Sequence, residues 1–235
     1  IGTVVRSRYT RRGPMEFYNI ASYIHFITRV HRGNYMVFFP SHGFMRAVYE
    51  VYCEYFSEKQ VDILMQETSM SEKAREEFLG HFQSSSSSEH IDEDVLQELI
   101  HMEIEVEEEK SLVGFCVMGG IFSEGIDLKN DSLIGAVVVG TGFPQVCHER
   151  ELLKDYFDSH GLNGFDYAYC FPGMNKVLQS AGRVIRTAQD RGIVVLLDER
   201  FMENRYRRLF PREWNNICYI SAESAALHVQ EFWGV

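Results

Sequence analysis

The chain has 235 residues, 45% of them hydrophobic, which is enough for one sizeable core, and we expect a single domain. The formal net charge of −11 argues against nucleic acid as a partner, but segment 84–110 holds ten acidic residues and one lysine, so it contributes nine of those charges. The sequence shows neither a signal-type apolar stretch nor an apolar run long enough to cross a bilayer, so we expect a cytoplasmic piece of a longer protein with no membrane partner.

Apolar runs and helical patterns alternate in the first part of the chain. Residues 34–41 form an unbroken apolar run that predicts a buried strand, and the apolar residues of 43–56 recur at helical spacing. The same pair recurs as a strand at 61–66 and a charged helix at 71–82, with Ser71 as its N-cap.

The segment 84–110 opens with a serine run and continues with acidic residues. This composition predicts a surface insertion, in which an amphipathic helical pattern is followed by a solvated acidic tail. The insertion is either a tolerated loop or an element that binds a partner or repels DNA, and the sequence leaves both open.

The second part of the chain continues the alternation. The predicted strands are 111–120, 133–144, 192–198 and 215–221, and the predicted helices are 172–190 and 224–233. Near-continuous apolar strands separated by helices are typical of an α/β fold with an open, mainly parallel sheet and helices on both faces.

The cysteines occur singly, with no C-x-x-C pair. This spacing argues against a zinc knuckle and against a disulfide framework, so we predict reduced, mostly buried thiols and no metal site. The cysteines are Cys53, Cys116, Cys147, Cys170 and Cys218.

Polar groups suited to binding follow two of the predicted strands. In an open parallel sheet, ligands gather at the carboxyl ends of the strands. Ser41 ends the first strand, and the glycine-rich stretch 119–127, GGIFSEGID, follows the third. Its glycine amides can contact an anion, while Glu124 and Asp127 can hydrogen-bond a ribose, order an arginine or position a water.

The predicted helix before the strand at 192–198 brings three polar side chains together. Arg183 and Arg186 are neighbours on one helix face, and Gln179 lies four residues before Arg183 on the same face. Gly182 removes a side chain beside them, which lowers helix stability and makes most sense if a ligand must approach closely.

Two adjacent guanidiniums repel each other unless an anion lies between them. Phosphate is the natural anion, because the planar donors of arginine match it in charge and geometry. The alternative is that the two arginines pair with acids such as Asp190 and Asp198.

Several stretches resemble one family of motors. GGIFSEGIDL, QSAGRVIR and DRGIVVLLDERF are similar to motifs V and VI of superfamily 2 helicases of the DinG and XPD branch. NYMVFFPS resembles motif IV of that branch, and RYTRRGPMEFYNIASYI resembles the start of its second motor domain. The resemblance covers nearly all of residues 1–235, with 84–110 as the main departure. It implies the RecA-like second motor domain of an ATP-dependent DNA helicase, moving 5′ to 3′ on single-stranded DNA in repair or replication.

The resemblance also implies roles for individual residues. Arg183 and Arg186 would reach the γ-phosphate of ATP, at least one of them as an arginine finger, and Gln179 would bind nucleotide or orient the attacking water. The implied nucleotide-binding set is Glu124, Gly125, Asp127 and Gly182, the first three coupling nucleotide state to DNA. The implied contacts to DNA phosphates are Ser41 and Ser123.

The sequence contains neither G-x-x-x-x-G-K-[ST] nor a D-E-x-H box. By resemblance, the ATP-cradling half belongs to the first motor domain, a partner within the same longer chain. ATP with Mg²⁺ would be shared between the two, and an iron–sulfur cluster would belong only to the missing part. The chain alone is therefore expected not to hydrolyse ATP.

Two other functions are weighed against the motor. A helicase-like module that has lost hydrolysis would bind only DNA or partners, and the intact Gln179, Arg183 and Arg186 set weighs against it. A dinucleotide-binding oxidoreductase would need G-x-G-x-x-G after its first strand, which the sequence lacks.

Two further stretches leave alternatives open. The alternating aromatic residues of 165–173, FDYAYCFPG, form either a base-stacking face or a half-buried strand or turn. The basic cluster 200–214 is predicted to be a helix that contacts DNA or the first motor domain, or is merely a solvated face.

Overall fold

The computed structural model describes residues 1–7, 13–84, 110–123, 133–185 and 190–235. In chain order, its elements are α1 (Pro14–Thr28), β1 (Asn34–Phe39), α2 (His42–Tyr55), β2 (Val61–Met65), α3 (Glu72–Ser84), β3 (Ser111–Val117), β4 (Gly135–Val139), α4 (His148–Ser159), α5 (Phe171–Ala181), β5 (Ile193–Leu197), α6 (Asn204–Arg207) and α7 (Ala222–Trp233). A π-helical turn (Asp166–Cys170) leads into α5, and a 3₁₀ turn (Glu199–Met202) follows β5. Within these described ranges, no helix is both long and apolar enough to cross a membrane.

The five strands form one parallel sheet in the order β2-β3-β1-β4-β5. The central strand β1 pairs with both β3 and β4, so that Tyr35 lies beside Val113 on one side and Gly135 on the other. Because every strand runs the same way, all five carboxyl ends lie at one edge of the sheet.

Alternate residues of each strand face two separate hydrophobic cores. In β1, Tyr35, Val37 and Phe39 pack with α1, α2 and α7 on one face, whereas Met36 and Phe38 pack with α3 and α5 on the other. Helices therefore cover both faces, as the apolar strands predict. The α/β, RecA-like prediction is confirmed.

The first residues of the chain close the free edge of β5. The Gly2 N–H donates to the Leu196 carbonyl at 2.9 Å, and the Ile220 N–H donates to the Ile1 carbonyl, also at 2.9 Å. Gly2 thereby bridges Leu197 and Ile220, two segments from the far end of the sequence.

The five predicted strands from 34–41 to 192–198 are confirmed, but two other predictions are wrong. Residues 215–221 contribute only the bridge at Ile220, because their partner is a single residue rather than a strand. Residues 200–214 contain only a 3₁₀ turn and the one-turn helix α6, and Pro211 cannot continue a helix. Residues 166–170 form a π-helical turn, which excludes the strand alternative for 165–173 and agrees with the turn.

Burial divides the cysteines, so the prediction of mostly buried thiols holds only in part. Cys116 and Cys170 are buried, and burial raises the pKa of both thiols. Cys147 and Cys218 are exposed, and Cys53 is intermediate. All five are free thiols.

Candidate functional site

The loop after β3 and the end of α5 are joined by one arginine. Nε and Nη2 of Arg183 both donate to the carbonyl oxygen of Ser123, at 3.0 and 2.6 Å. The structure therefore brings together the two stretches whose polar residues define the predicted site.

Ser123 is held in a tight turn that orients its carbonyl oxygen toward Arg183. It is fully buried, and both its backbone N–H and its hydroxyl donate to the Gly120 carbonyl at 2.9 Å. This tight turn aims the Ser123 carbonyl at Arg183. The hydroxyl is turned inward in this geometry, so DNA binding by Ser123 stays a prediction that its observed contacts do not favour.

The helix that carries the arginines ends earlier than predicted. α5 stops at Ala181, and Gly182 is its C-cap. The next two N–H groups bond three residues back, from Arg183 to Ser180 at 3.4 Å and from Val184 to Ala181 at 3.3 Å. Arg183 thus leaves the helix in a tight turn, and the prediction that it continues the helical face of Gln179 is wrong.

Gln179 and Gly182 are both exposed at this end of α5. A Cβ on Gly182 would lie 3.2 Å from the Leu178 carbonyl oxygen, which is a close but tolerable contact. Its φ of −67° is open to any residue. The shape of the backbone therefore does not by itself require glycine here, and close approach of a ligand remains a prediction.

Four of the predicted site residues lie outside the described residues. These are Glu124, Gly125, Asp127 and Arg186. Their roles stay as the resemblance implies.

Ser41 lies at the carboxyl end of β1 and begins α2. It is exposed, and its hydroxyl oxygen accepts the Phe44 N–H at 3.4 Å as the N-cap of that helix. A capping hydroxyl uses its oxygen as acceptor and keeps its proton to donate, so Ser41 can still bind a phosphate oxygen.

A buried charge cluster at the end of β5 was not identified from the sequence. Oδ1 of Asp198 accepts Nε of Arg200 at 2.7 Å, and Oδ2 accepts Nη2 at 2.9 Å and also the hydroxyl of Ser7. The signal was the pair of acids and the arginine in LLDERF, directly after a buried strand. The alternative pairing of Arg183 with Asp198 is not observed, because Arg200 occupies this carboxylate.

The contacts of this cluster favour the charged form of Asp198. Burial alone would raise the pKa of Asp198, but the hydrogen bonds and charge of Arg200, with help from Ser7, outweigh it and hold the pKa below its ordinary value. Arg200 also lies over the ring of Phe143, with its guanidinium carbon 5.1 Å from the ring centre. These contacts fix the carboxyl end of β5 to the first segment of the chain.

Part of the basic cluster 200–214 is committed to internal contacts. Nε of Arg205 donates to Oδ1 of Asp166 at 2.7 Å, and Nη2 of Arg208 lies 3.5 Å from the other oxygen of the same buried carboxylate. Arg207 and Arg212 are exposed. The cluster is therefore partly structural, which the sequence did not indicate.

A family of known domains matches most of this chain. The model of the helicase C-terminal domain matches residues 24–217. The chain belongs to this family. Two solved XPD structures share its fold: one of the XPD helicase, with a TM-score of 0.62 and 21% identity over 93% of this chain and 34% of that one, and one of apo XPD, with a TM-score of 0.61 and 19% identity over 93% and 39%.

Relatives of this helicase C-terminal domain carry related names. It is 39% identical over 89 residues to the ATP-dependent DNA helicase DinG of Photobacterium profundum, which covers 37% of this chain and 13% of that protein. It is 25% identical over 193 residues to the ATP-dependent DNA helicase CHL1 of Kluyveromyces lactis, which covers 76% of this chain and 21% of that protein. The resemblance to the DinG and XPD branch is confirmed. The chain spans only a small part of the length of these relatives.

The donors at the site of this helicase domain fit phosphate better than metal. Arg183 and Gln179 offer N–H groups, which suit phosphate oxygens. In the portion of the chain that the structure describes, no group of three or more His, Cys, Asp or Glu residues could hold a metal ion. These side chains can therefore bind the phosphates of a nucleotide, and no role for Mg²⁺ follows from them.

Proposed function

We propose that this chain, over residues 1–235, is the second motor domain of an ATP-dependent DNA helicase that moves along single-stranded DNA, 5′ to 3′, in DNA repair or replication. The observation that carries the proposal is the pair of hydrogen bonds from Arg183 to the Ser123 carbonyl. They link the arginine stretch to the loop whose continuation holds Glu124, Gly125 and Asp127. The names of the DinG and CHL1 relatives support the same activity.

Arg183 is suited to sense a phosphate while it holds the loop. The guanidinium donates to the Ser123 carbonyl through Nε and Nη2. Its delocalised charge and planar donors match the oxygens of a γ-phosphate, and an arginine placed there stabilises the charge that develops during phosphoryl transfer. Arg186 would act beside it, and Gln179, exposed one turn earlier, would orient the attacking water.

Movement follows from sharing one nucleotide between two domains. ATP held by the first motor domain attracts the arginines of this one, which favours the closed arrangement. Loss of the γ-phosphate removes that attraction, and the Arg183–Ser123 contact passes the change to the loop after β3. If the DNA grip of each domain changes in turn, the pair steps along one strand. Contacts of this kind are directed to the DNA backbone and are sensitive to salt.

The test is ATP hydrolysis by the full-length protein with and without single-stranded DNA. We expect strong stimulation by DNA, and a loss on the order of a thousandfold or more in Arg183→Ala or Arg186→Ala. Arg32→Ala, which removes an exposed arginine just before β1, at the edge of the sheet opposite the strand carboxyl ends, should retain the wild-type rate. Wild-type protein that hydrolyses no ATP in response to DNA would exclude the motor and favour the module that only binds DNA or partners.

Two further measurements address the finer parts of the proposal. Partial duplexes with a single-stranded tail at either the 5′ or the 3′ end should be unwound only from the 5′ tail. The 235-residue chain alone should hydrolyse no ATP, because it would supply only half of the nucleotide site. Turnover by the isolated chain would refute the shared site.

A further inference from the structure

The first turn of α5 lies unusually close to the turn that follows β4. A Cβ on Gly142 would lie 2.8 Å from the Gly173 carbonyl oxygen, and a Cβ on Gly173 would lie 2.5 Å from the Thr141 carbonyl oxygen. Neither position has room for a side chain. Backbone therefore meets backbone, which holds the start of α5 against the carboxyl edge of the sheet.

One turn along α5, this packing places a lysine side chain across that edge. A Cβ on Gly142 would lie 3.5 Å from Cβ of Lys176, so the base of the side chain rests on the turn after β4. A Cβ on Gly119 would lie 2.9 Å from Cε and 3.3 Å from Nζ of Lys176, so the tip lies against the turn after β3. Gly119 is exposed and has a φ of +69°, which favours glycine at this point.

Within the described part of the chain, the ammonium of Lys176 has no anionic partner. Other lysines are paired: Nζ of Lys154 donates to Asp158 at 3.0 Å, and Nζ of Lys110 lies 3.4 Å from Asp62. No described carboxylate lies within 4.0 Å of Nζ of Lys176, although this side chain is half-buried. A partly desolvated cation is stabilised when an anion binds beside it.

We propose that Lys176, positioned by the glycine turns at Gly119 and Gly142, forms a contact for a phosphate of the single-stranded DNA backbone. The inference rests on the proposed motor function and adds a DNA contact to it. Lysine binds phosphate as a point charge, and the two glycine turns leave room for its side chain to lie along the carboxyl edge of the sheet. The site lies where parallel sheets bind their ligands.

The position along α5 favours DNA over the nucleotide as the source of this phosphate. Lys176 lies within α5, whereas Arg183 lies beyond Gly182, the C-cap of that helix. The ammonium of Lys176 lies against Gly119, whereas the guanidinium of Arg183 is held at the Ser123 carbonyl, so the two cations contact different residues of the loop after β3. If Arg183 reaches the nucleotide, Lys176 faces a different phosphate.

The experiment compares Lys176→Gln, Lys176→Arg and wild type in the full-length protein. The affinity for oligothymidylate is measured over a range of KCl concentrations. Lys176→Gln should weaken binding several-fold and reduce the slope of log affinity against log salt by about 0.7, the value for one phosphate contact on a single strand. Lys176→Arg should restore most of both. Lys59→Gln, an exposed lysine at the opposite edge of the sheet before β2, should leave the slope unchanged.

Steady-state ATP hydrolysis separates the two sources of phosphate. In Lys176→Gln, the DNA concentration for half-maximal stimulation should rise, while kcat at saturating DNA and KM for ATP stay at wild-type values. A raised KM for ATP with unchanged DNA affinity would assign the phosphate to the nucleotide and overturn the proposal. Unchanged DNA affinity and salt slope would overturn it while the motor stands. Wild-type protein without DNA-stimulated hydrolysis would refute both.

Discussion

Arg183 holds the loop after β3 through a main-chain atom: Nε and Nη2 of its guanidinium share the carbonyl oxygen of Ser123. The serine side chain plays no part in this contact, because its hydroxyl donates to Gly120. The identity of residue 123 should therefore matter less to the site than its backbone geometry.

Substitutions at these two positions should separate the roles of side chain and backbone. Ser123→Ala retains the carbonyl and loses one hydrogen bond, worth about 1 kcal/mol of stability, so DNA-stimulated ATP hydrolysis should stay within about twofold of wild type. Arg183→Lys keeps the charge but cannot reproduce the paired hydrogen bonds from Nε and Nη2 to the Ser123 carbonyl. DNA-stimulated ATP hydrolysis should therefore fall at least about tenfold. A large rise in the DNA concentration needed by Ser123→Ala would instead support direct DNA binding by its hydroxyl.

Arg200 should be important for stability rather than for turnover. Its side chain is 12% exposed and that of Asp198 only 1%, so Arg200→Ala leaves a buried carboxylate without its charge partner. The free energy of unfolding should fall by about 3–5 kcal/mol, measured by urea denaturation of the 235-residue chain. Arg207→Ala removes an exposed arginine nearby and should change stability by less than about 0.5 kcal/mol. Equal effects of the two substitutions would contradict a buried ion pair.

The same cluster predicts how stability depends on pH. The folded pKa of Asp198 lies below its ordinary value of 3.8, so its stabilisation is fully present above about pH 5 and is lost as pH falls through the folded pKa. The difference in unfolding free energy between wild type and Asp198→Asn should be large at pH 7 and shrink below pH 4. Asp155→Asn, at a carboxylate that is 72% exposed, serves as the control. A difference that stays constant down to pH 2 would rule out a titrating Asp198.

Two glycines with similar backbone angles test the close packing of α5. Gly142 has a φ of +64° and Gly161 a φ of +76°, so alanine at either adds about 1–2 kcal/mol of backbone strain. Only at Gly142 would the new Cβ meet backbone, the Gly173 carbonyl oxygen at 2.8 Å, whereas Gly161 has nothing within 4 Å. Thermal unfolding should show Gly142→Ala to be the less stable variant by a further 1 kcal/mol or more, on the order of the cost of overpacking. Equal losses would mean that the contact is easily relieved.

The sheet could be predicted because its central strands are continuous runs of apolar residues. β1, β3 and β4 are buried along their whole length, and an unbroken apolar run records that burial directly. α1 was not predicted as a helix although eight of its residues are buried, and α4, which buries none of its residues, gave no apolar stripe to find. Where an element packs on few neighbours, composition carries little information about it.

Some features of the site were predicted from the sequence. The features that were not predicted depend on contacts between residues distant in the sequence. The glycine-rich loop and the arginine stretch were both visible as motifs, but their connection spans sixty residues and uses a carbonyl that every residue has. The position of Lys176 depends on Gly119 and Gly142, which lie in two separate turns. Helical spacing also overestimated α5, because Gly182 ends the helix before Arg183.

The bridge from Gly2 to Leu197 and Ile220 limits when this domain can finish folding during its synthesis on the ribosome. The N–H of Thr3 and its acceptor, the Ile220 carbonyl, are 217 positions apart, so residues 1–3 lack their bridge partners until nearly the whole domain has been made. Contacts of such long range close slowly, and the apolar edge of β5 stays open until they form. We therefore expect this domain to complete its folding only after its last helix has left the exit tunnel, with the nascent β5 edge as the surface most exposed to misassociation until then.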